Sequence, residues 1–163
     1  MDNIDAGLLL VRVVFGLFLA WHGVNKIRNG LGGTADWFGS VGMKWPSLQA
    51  RAAATSEIAG GAMFAAGLLT PLAAASIIGV MVVAIVTVHW RVGFFIFLPN
   101  GGWEYCASIA VVAAAVSITG PGSASLDSAL GIPQSTVAGV AGIVLGLGGG
   151  VVHLIASYRP KGD

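Results

Sequence analysis

The sequence predicts an all-α protein: a polytopic membrane helical bundle, one domain over residues 1–163, with five spanning helices. Three observations carry that expectation. First, 56% of the 163 residues are hydrophobic and 9% are Asp, Glu, Lys or Arg; soluble domains carry about 25% charge. Second, the mean hydropathy is +0.86, so too few charges remain to coat a water-exposed surface. Third, long apolar runs alternate with Gly- and Pro-containing breaks, as spans of about 20 residues require. The same composition excludes a disordered chain, and a net charge of +1 offers no basic field for nucleic acid. A single cysteine, Cys106, excludes an internal disulfide and a CxxC relay.

The first span covers residues 6–27. Acidic residues, Asp2 and Asp5, precede it where a signal peptide would be basic, so it reads as a retained helix. Residues 29–46 are too polar to span. Gly30, Gly32, Gly33, Asp36, Trp37, Phe38, Lys44 and Trp45 suit a loop with a short amphipathic piece at headgroup level, where Trp is favoured. No charge occurs between residues 58 and 88, too long a run for one span. Thr70-Pro71 divides it, because proline interrupts a helix and biases the residue before it. The second span is therefore set at residues 47–69 and the third at 72–91. An aromatic, Gly- and Pro-containing connection follows, with Phe94, Phe95, Phe97 and Pro99. The fourth span is set at 103–119, ended by Gly120-Pro121-Gly122. The fifth is set at 136–157, where Gly142, Gly146 and Gly150 fall four apart on one face. Such a stripe permits close approach of backbones. It fits packing within the chain or an interface with another subunit.

Five spans sort the basic residues. The first loop, the third loop and the C-terminus then share a side holding Lys26, Arg28, Lys44, Arg51, Arg91, Arg159 and Lys161. The opposite side holds Asp2, Asp5 and Asp127. Because Lys and Arg accumulate on the cytoplasmic side, the N-terminus is expected outside and the C-terminus in the cytoplasm.

Ionisable groups inside a membrane are costly and usually face the bundle interior. His22 and Lys26 end the first span on the basic side, Arg51 and Glu57 begin the second, His89 and Arg91 end the third, and Glu104 begins the fourth. Arg12 lies in the other half. At 100° per residue Arg12, Gly16, Gly23 and Lys26 share one face of the first helix, with His22 at its edge. Glu57 needs a partner, and Arg12, Lys26 or Arg91 is the natural choice. These groups fit internal salt bridges that lock the bundle as well as they fit a functional site. His22, Glu57, His89 and Glu104 have suitable chemistry for a metal, but no Glu-x-x-His or His-x-x-x-His pair occurs, so no metal site is expected.

Together these motifs resemble the DoxX family of small bacterial membrane proteins. The resemblance rests on residues 16–26 (GLFLAWHGVNK), Asp36-Trp37-Phe38, residues 57–70 (EIAGGAMFAAGLLT), and His89 followed by Gly93-Phe94-Phe95. It rests above all on Asn100-Gly101-Gly102-Trp103-Glu104-Tyr105, and is completed by Gly120-Pro121-Gly122 and Ser125-Leu126-Asp127. It implies a four-helix core, to which this chain adds a fifth C-terminal helix, in a bacterial inner membrane. It also implies an accessory subunit of a membrane-associated oxidoreductase, since family members resemble subunits of thiosulfate:quinone oxidoreductase. A quinone would need an apolar slot, hydrogen-bond donors and proton-exchanging groups. Arg12, His22, Lys26 and Trp103 are the candidate pocket residues, and Glu57, His89 and Glu104 the candidates for proton exchange. No flavin, haem or iron–sulfur motif is present, so electrons would come from a partner protein. Two other readings stand beside this one. The chain could be a non-catalytic membrane anchor, docking proteins on its cytoplasmic loops or its Gly142/Gly146/Gly150 face. It could instead be a transporter or lipid-handling subunit, although no inverted repeat is visible.

Overall fold

The computed structural model describes residues 2–160, which form seven α-helices and no β-strand beyond a single bridge. Helix α1 (Asn3–Arg28) starts where the Asp2 side chain accepts from the Asp5 amide at 2.8 Å. That bond satisfies one of the amide groups a helix start leaves without a partner. Helix α2 (Leu31–Ser40) is the amphipathic piece expected in the first loop. Helix α3 (Pro46–Ala66) has proline in its first turn, where the missing amide costs nothing. It ends at Ala66 rather than Leu69 because Gly67 turns left-handed (φ +63°) and Leu68 bonds back to Met63. Helix α4 (Thr70–Ala84) therefore begins two residues earlier than expected. It continues as a π-turn, Ile85–His89, in which the Trp90 amide reaches back five residues to Ile85. Helix α5 (Glu104–Thr119) and the short α6 (Leu126–Ala129) follow. Helix α7 (Thr136–Ser157) has the expected bounds and is capped by the Ser135 side chain, which accepts from the Ala138 amide.

Three of these helices are long and apolar enough to cross a membrane: Asn3–Arg28, Thr70–His89 and Thr136–Ser157. The fold is an all-α membrane bundle. Helix α5 is apolar but shorter. Helix α3 falls outside that set at 21 residues because its first three turns carry Gln49, Arg51, Thr55, Ser56 and Glu57. Both nevertheless pack side by side with the longer helices. Helix α3 lies between α1 and α4, and α5 lies against α4 and α7. The core they enclose includes Phe64, Ala74, Ile77, Ile78, Ala113 and Val116. Leu10 and Phe18 on α1 and Val144, Val152 and Ile155 on α7 face outward. An apolar exterior around buried polar groups suits lipid as the solvent.

Small residues set the helix spacing. At the α1–α3 crossing, a Cβ placed on Gly16 would lie 2.5 Å from the Gly61 carbonyl oxygen. The glycine stripe of α7 works the same way inside the chain. A Cβ on Gly142 would meet the backbone of Pro71, one on Gly146 the carbonyl of Ala75, and one on Gly150 the side chain of Val82. Helix α4 thus fills the Gly142/Gly146/Gly150 face, which corrects the expectation that a partner subunit could use it.

The two ends of the bundle differ. At one end α1 stops and α3 starts, and the third connection and the end of α7 join them. The Lys44 amide bonds to Ser157, the Arg159 amide to Gly42, and Met43 pairs with Tyr158 as an antiparallel bridge. Lys26, Arg28, Lys44, Arg51, Arg91 and Arg159 gather here; Lys161 lies outside the described residues. The opposite end holds Asp2, Asp5 and Asp127. There the Asp5 carboxylate accepts from the Ser123 amide and hydroxyl. Asp127 is fully buried and accepts from the Leu69 amide (2.7 Å), the Thr70 amide (3.0 Å) and the Thr70 hydroxyl (2.7 Å). It caps α4 from 57 residues away.

Candidate functional site

A cavity of about 480 Å³ opens towards the basic end, bounded by α1 to α5 and α7. Its wall is mostly apolar, from Leu19, Val80, Met81, Val83 and Ile109. Exposed His22, Ala52, Leu145 and Gly149 also line it, so it is open at the rim. All three histidines of the chain, His22, His89 and His153, reach its wall. The volume and the apolar wall with few polar groups are those of a small-molecule site.

Two polar devices stand in this wall. In the first, Lys26 Nζ on α1 donates to both carboxylate oxygens of Glu57 on α3, at 2.7 and 2.6 Å. The Glu57 side chain is 8% exposed and that of Lys26 21%. Gly23 brings them together: a Cβ there would lie 2.6 Å from the Ala54 carbonyl oxygen and 3.0 Å from Glu57 Cβ. The contact therefore needs glycine, one turn before the lysine. Of the three candidate partners for Glu57, the structure selects Lys26.

In the second device, the π-turn ends on His89. Its Nδ1 lies 2.8 Å from the Gly101 carbonyl oxygen, and its Nε2 lies 2.6 Å from the Tyr105 hydroxyl. The Asn100-Gly101-Gly102-Trp103-Glu104-Tyr105 segment builds this arrangement. Asn100 and Gly101 both take positive φ (72° and 67°), which turns the chain tightly. Gly102 lies against the carbonyls of Phe94 and Phe95 with no room for a Cβ. Trp103 stacks on Trp90 at 5.8 Å and meets the edge of Phe94 at 4.7 Å. Glu104 accepts from the Ile96 amide at 3.1 Å. The motif folds the third connection so that Gly101 and Tyr105 grip His89 from two sides.

The structure thus brings His22, Lys26, Glu57 and His89 to one cavity, and leaves three candidate residues elsewhere. Trp103 and Glu104 hold the connecting loop, outside the cavity wall. Arg12 belongs to the acidic end. It is fully buried and donates to the Ala65 carbonyl at 3.2 Å and the Ala124 carbonyl at 2.6 Å, tying α1 to the last turn of α3 and to the chain after α5. The helix wheel puts Arg12 and Lys26 on one face correctly, but four turns separate them along the axis. Among the described residues no three His, Cys, Asp or Glu side chains come together as a metal ligand set. Tyr105 and Gln49, which also line the cavity, were not legible as site residues. The signal for Tyr105 was its place in the motif; Gln49 carried none.

A quinone headgroup fits this chemistry. The cavity has an apolar wall, an ammonium donor in Lys26, and hydrogen-bonding side chains in His22, His89 and Tyr105.

Comparison with known proteins agrees with the motifs. The family model described as DoxX matches residues 7–90, from α1 to the end of the π-turn. The chain is 32% identical over 103 residues to a protein of Bacillus subtilis (strain 168) named "Putative oxidoreductase CatD", an alignment covering 63% of this chain and 72% of that one. No solved structure matches. The family model thus covers the part of the cavity wall built by α1 to α4, while α5 and α7 lie beyond it, and the chain belongs to the DoxX family.

Proposed function

We propose that the chain is an accessory subunit of a membrane-associated oxidoreductase assembly and that its cavity receives a quinone. The reading places five spans in a bacterial inner membrane, with the basic end and the C-terminus in the cytoplasm. The observation that carries it is the pairing of Lys26–Glu57 with His89–Tyr105 in the wall of one apolar, rim-open cavity. The family membership and the relative's name support the oxidoreductase part. When bound, a quinone supplies reversible two-electron, two-proton chemistry, with the electrons exchanged with a partner protein.

This chain's residues do the rest. Lys26, on the cavity wall, would hold its ammonium group toward an oxygen of a bound ring. Glu57, held by two hydrogen bonds from Lys26, would accept or return a proton at its carboxylate oxygens. His89 and Tyr105 form the opposite polar wall, and Leu19, Met81 and Ile109 exclude water around the ring. Proton-exchanging groups of this kind typically contribute 10²–10⁴-fold in rate. Glu57→Gln keeps size and hydrogen bonding but cannot exchange the proton. It is expected to lower quinone-dependent turnover in isolated membranes by about 100-fold or more. Glu104→Gln still accepts from Ile96 and is expected to retain most activity. Full activity in Glu57→Gln would overturn the proposal. The anchoring alternative loses its simplest interface, because α4 occupies the glycine face.

A further inference from the structure

The hydrogen-bond chain Gly101–His89–Tyr105 has only one possible direction when the imidazole is neutral. The Gly101 carbonyl oxygen can only accept. His89 Nδ1, 2.8 Å away, must therefore carry the proton and donate it. A neutral imidazole with a protonated Nδ1 has a bare Nε2, which can only accept. The Tyr105 hydroxyl, 2.6 Å from Nε2, must then donate its single hydrogen to His89. A phenol has one hydrogen, so Tyr105 keeps only lone pairs for anything else that meets it. Both His89 and Tyr105 line the cavity.

From this direction we infer that the cavity is selective for the hydroxyl form of its ligand: Tyr105 accepts from a phenolic O–H and offers no hydrogen to a ring carbonyl. On the reading that the cavity takes a quinone, its preferred occupant is the reduced hydroquinone rather than the oxidised ring. Tyr105 is the specificity-determining residue, acting through hydrogen-bond polarity. Glycine at 101 and the positive φ of Asn100 and Gly101 serve to aim the carbonyl that fixes it.

The selectivity arises because a carbonyl set against the Tyr105 oxygen pairs two acceptors, whereas a hydroxyl makes a hydrogen bond. A site built for one hydrogen-bond polarity rejects the other because buried polar atoms are left unpaired. The expected ratio is about tenfold in dissociation constant.

The test is equilibrium binding of a short-tailed ubiquinol and the matching ubiquinone to the purified full chain in detergent. It is run without oxygen at about pH 8, above the range in which imidazoles ordinarily titrate. The wild type is expected to bind the quinol about tenfold more tightly, and Tyr105→Phe is expected to bind both forms with similar affinity. Equal affinity in the wild type, or an unchanged ratio in Tyr105→Phe, overturns this inference while leaving the quinone site in place. Absence of binding by either form overturns both this inference and the proposed ligand class. A second measurement is independent of any ligand. Nitrogen-15 NMR of histidine-labelled protein is expected to show one ring protonated at Nδ1 and bare at Nε2, identified by its loss in His89→Gln. A His89 ring protonated at Nε2 alone would overturn the inference directly.

Discussion

Removing one partner of the Lys26–Glu57 pair should cost far more than removing both. Glu57 is 8% exposed and accepts two charge-assisted bonds from one ammonium group. Deleting that ammonium in Lys26→Met strands a carboxylate in an apolar wall, a change that costs about 3–5 kcal/mol when the charge has no other partner. The reverse deletion, Glu57→Met, should cost less. Lys26 is 21% exposed and its flexible stem can carry the ammonium to the cavity rim; about 1–2 kcal/mol is expected. The double variant buries two thioethers of suitable length and strands nothing, so it should sit within about 1 kcal/mol of the wild type. The assay is thermal unfolding of the four proteins in one detergent, read as a double-mutant cycle. On the scale of 2–4 °C per kcal/mol for a chain of this size, Lys26→Met should melt about 10 °C low and the double variant within about 3 °C of the wild type. A double variant as unstable as the sum of the two singles would refute the reasoning, since uncoupled sites add. It would mean that the two groups do not compensate one another inside the bundle.

Two further predictions concern the fold. Asp127→Ala removes the acceptor of three hydrogen bonds at the buried start of α4 and is expected to cost about 3–5 kcal/mol in thermal unfolding; Asp127→Asn, which keeps one acceptor oxygen, should recover more than half of it. Gly146→Leu drives a side chain into the backbone of Ala75, 2.7 Å from its carbonyl oxygen, and is expected to cost about 3 kcal/mol or more. Gly148→Leu, two residues away, meets nothing within 4 Å and should stay within about 0.5 kcal/mol of the wild type. Size-exclusion chromatography should show aggregation of Gly146→Leu, not dissociation of a partner.

Hydropathy and breaker residues made the elements legible. Thr70-Pro71 marks a real boundary, and α7 begins at Thr136 and ends at Ser157 as expected. What hydropathy could not convey was how the small residues are used. Gly142, Gly146 and Gly150 looked the same whether they faced α4 or another subunit, because both need close backbones. The π-turn at Ile85–His89 was equally silent: it adds one residue to a turn without changing composition, yet it aims His89 at Gly101 and Tyr105. The candidate site was half legible. Lys26, Glu57, His22 and His89 were singled out as costly groups near one leaflet, and they meet in one cavity. Arg12 was singled out by the same cost, but it serves the opposite end by binding one carbonyl in the last turn of α3 and one after α5. A helix wheel gives the angle around an axis and says nothing about depth. Glu104 and Trp103 have suitable chemistry, yet they are used to fold the loop that presents Gly101.

The central claim is that the cavity between α1, α3, α4, α5 and α7 holds a quinone in the membrane, and native mass spectrometry of gently extracted protein tests it most directly. Gly149 lies on the cavity wall, and a Cβ there meets nothing within 4 Å. Gly149→Trp should therefore fold normally and obstruct the cavity mouth. The wild type is expected to carry a quinone mass that Gly149→Trp lacks, at an unchanged melting temperature. A wild type without quinone, or a Gly149→Trp protein that retains it, would contradict the account.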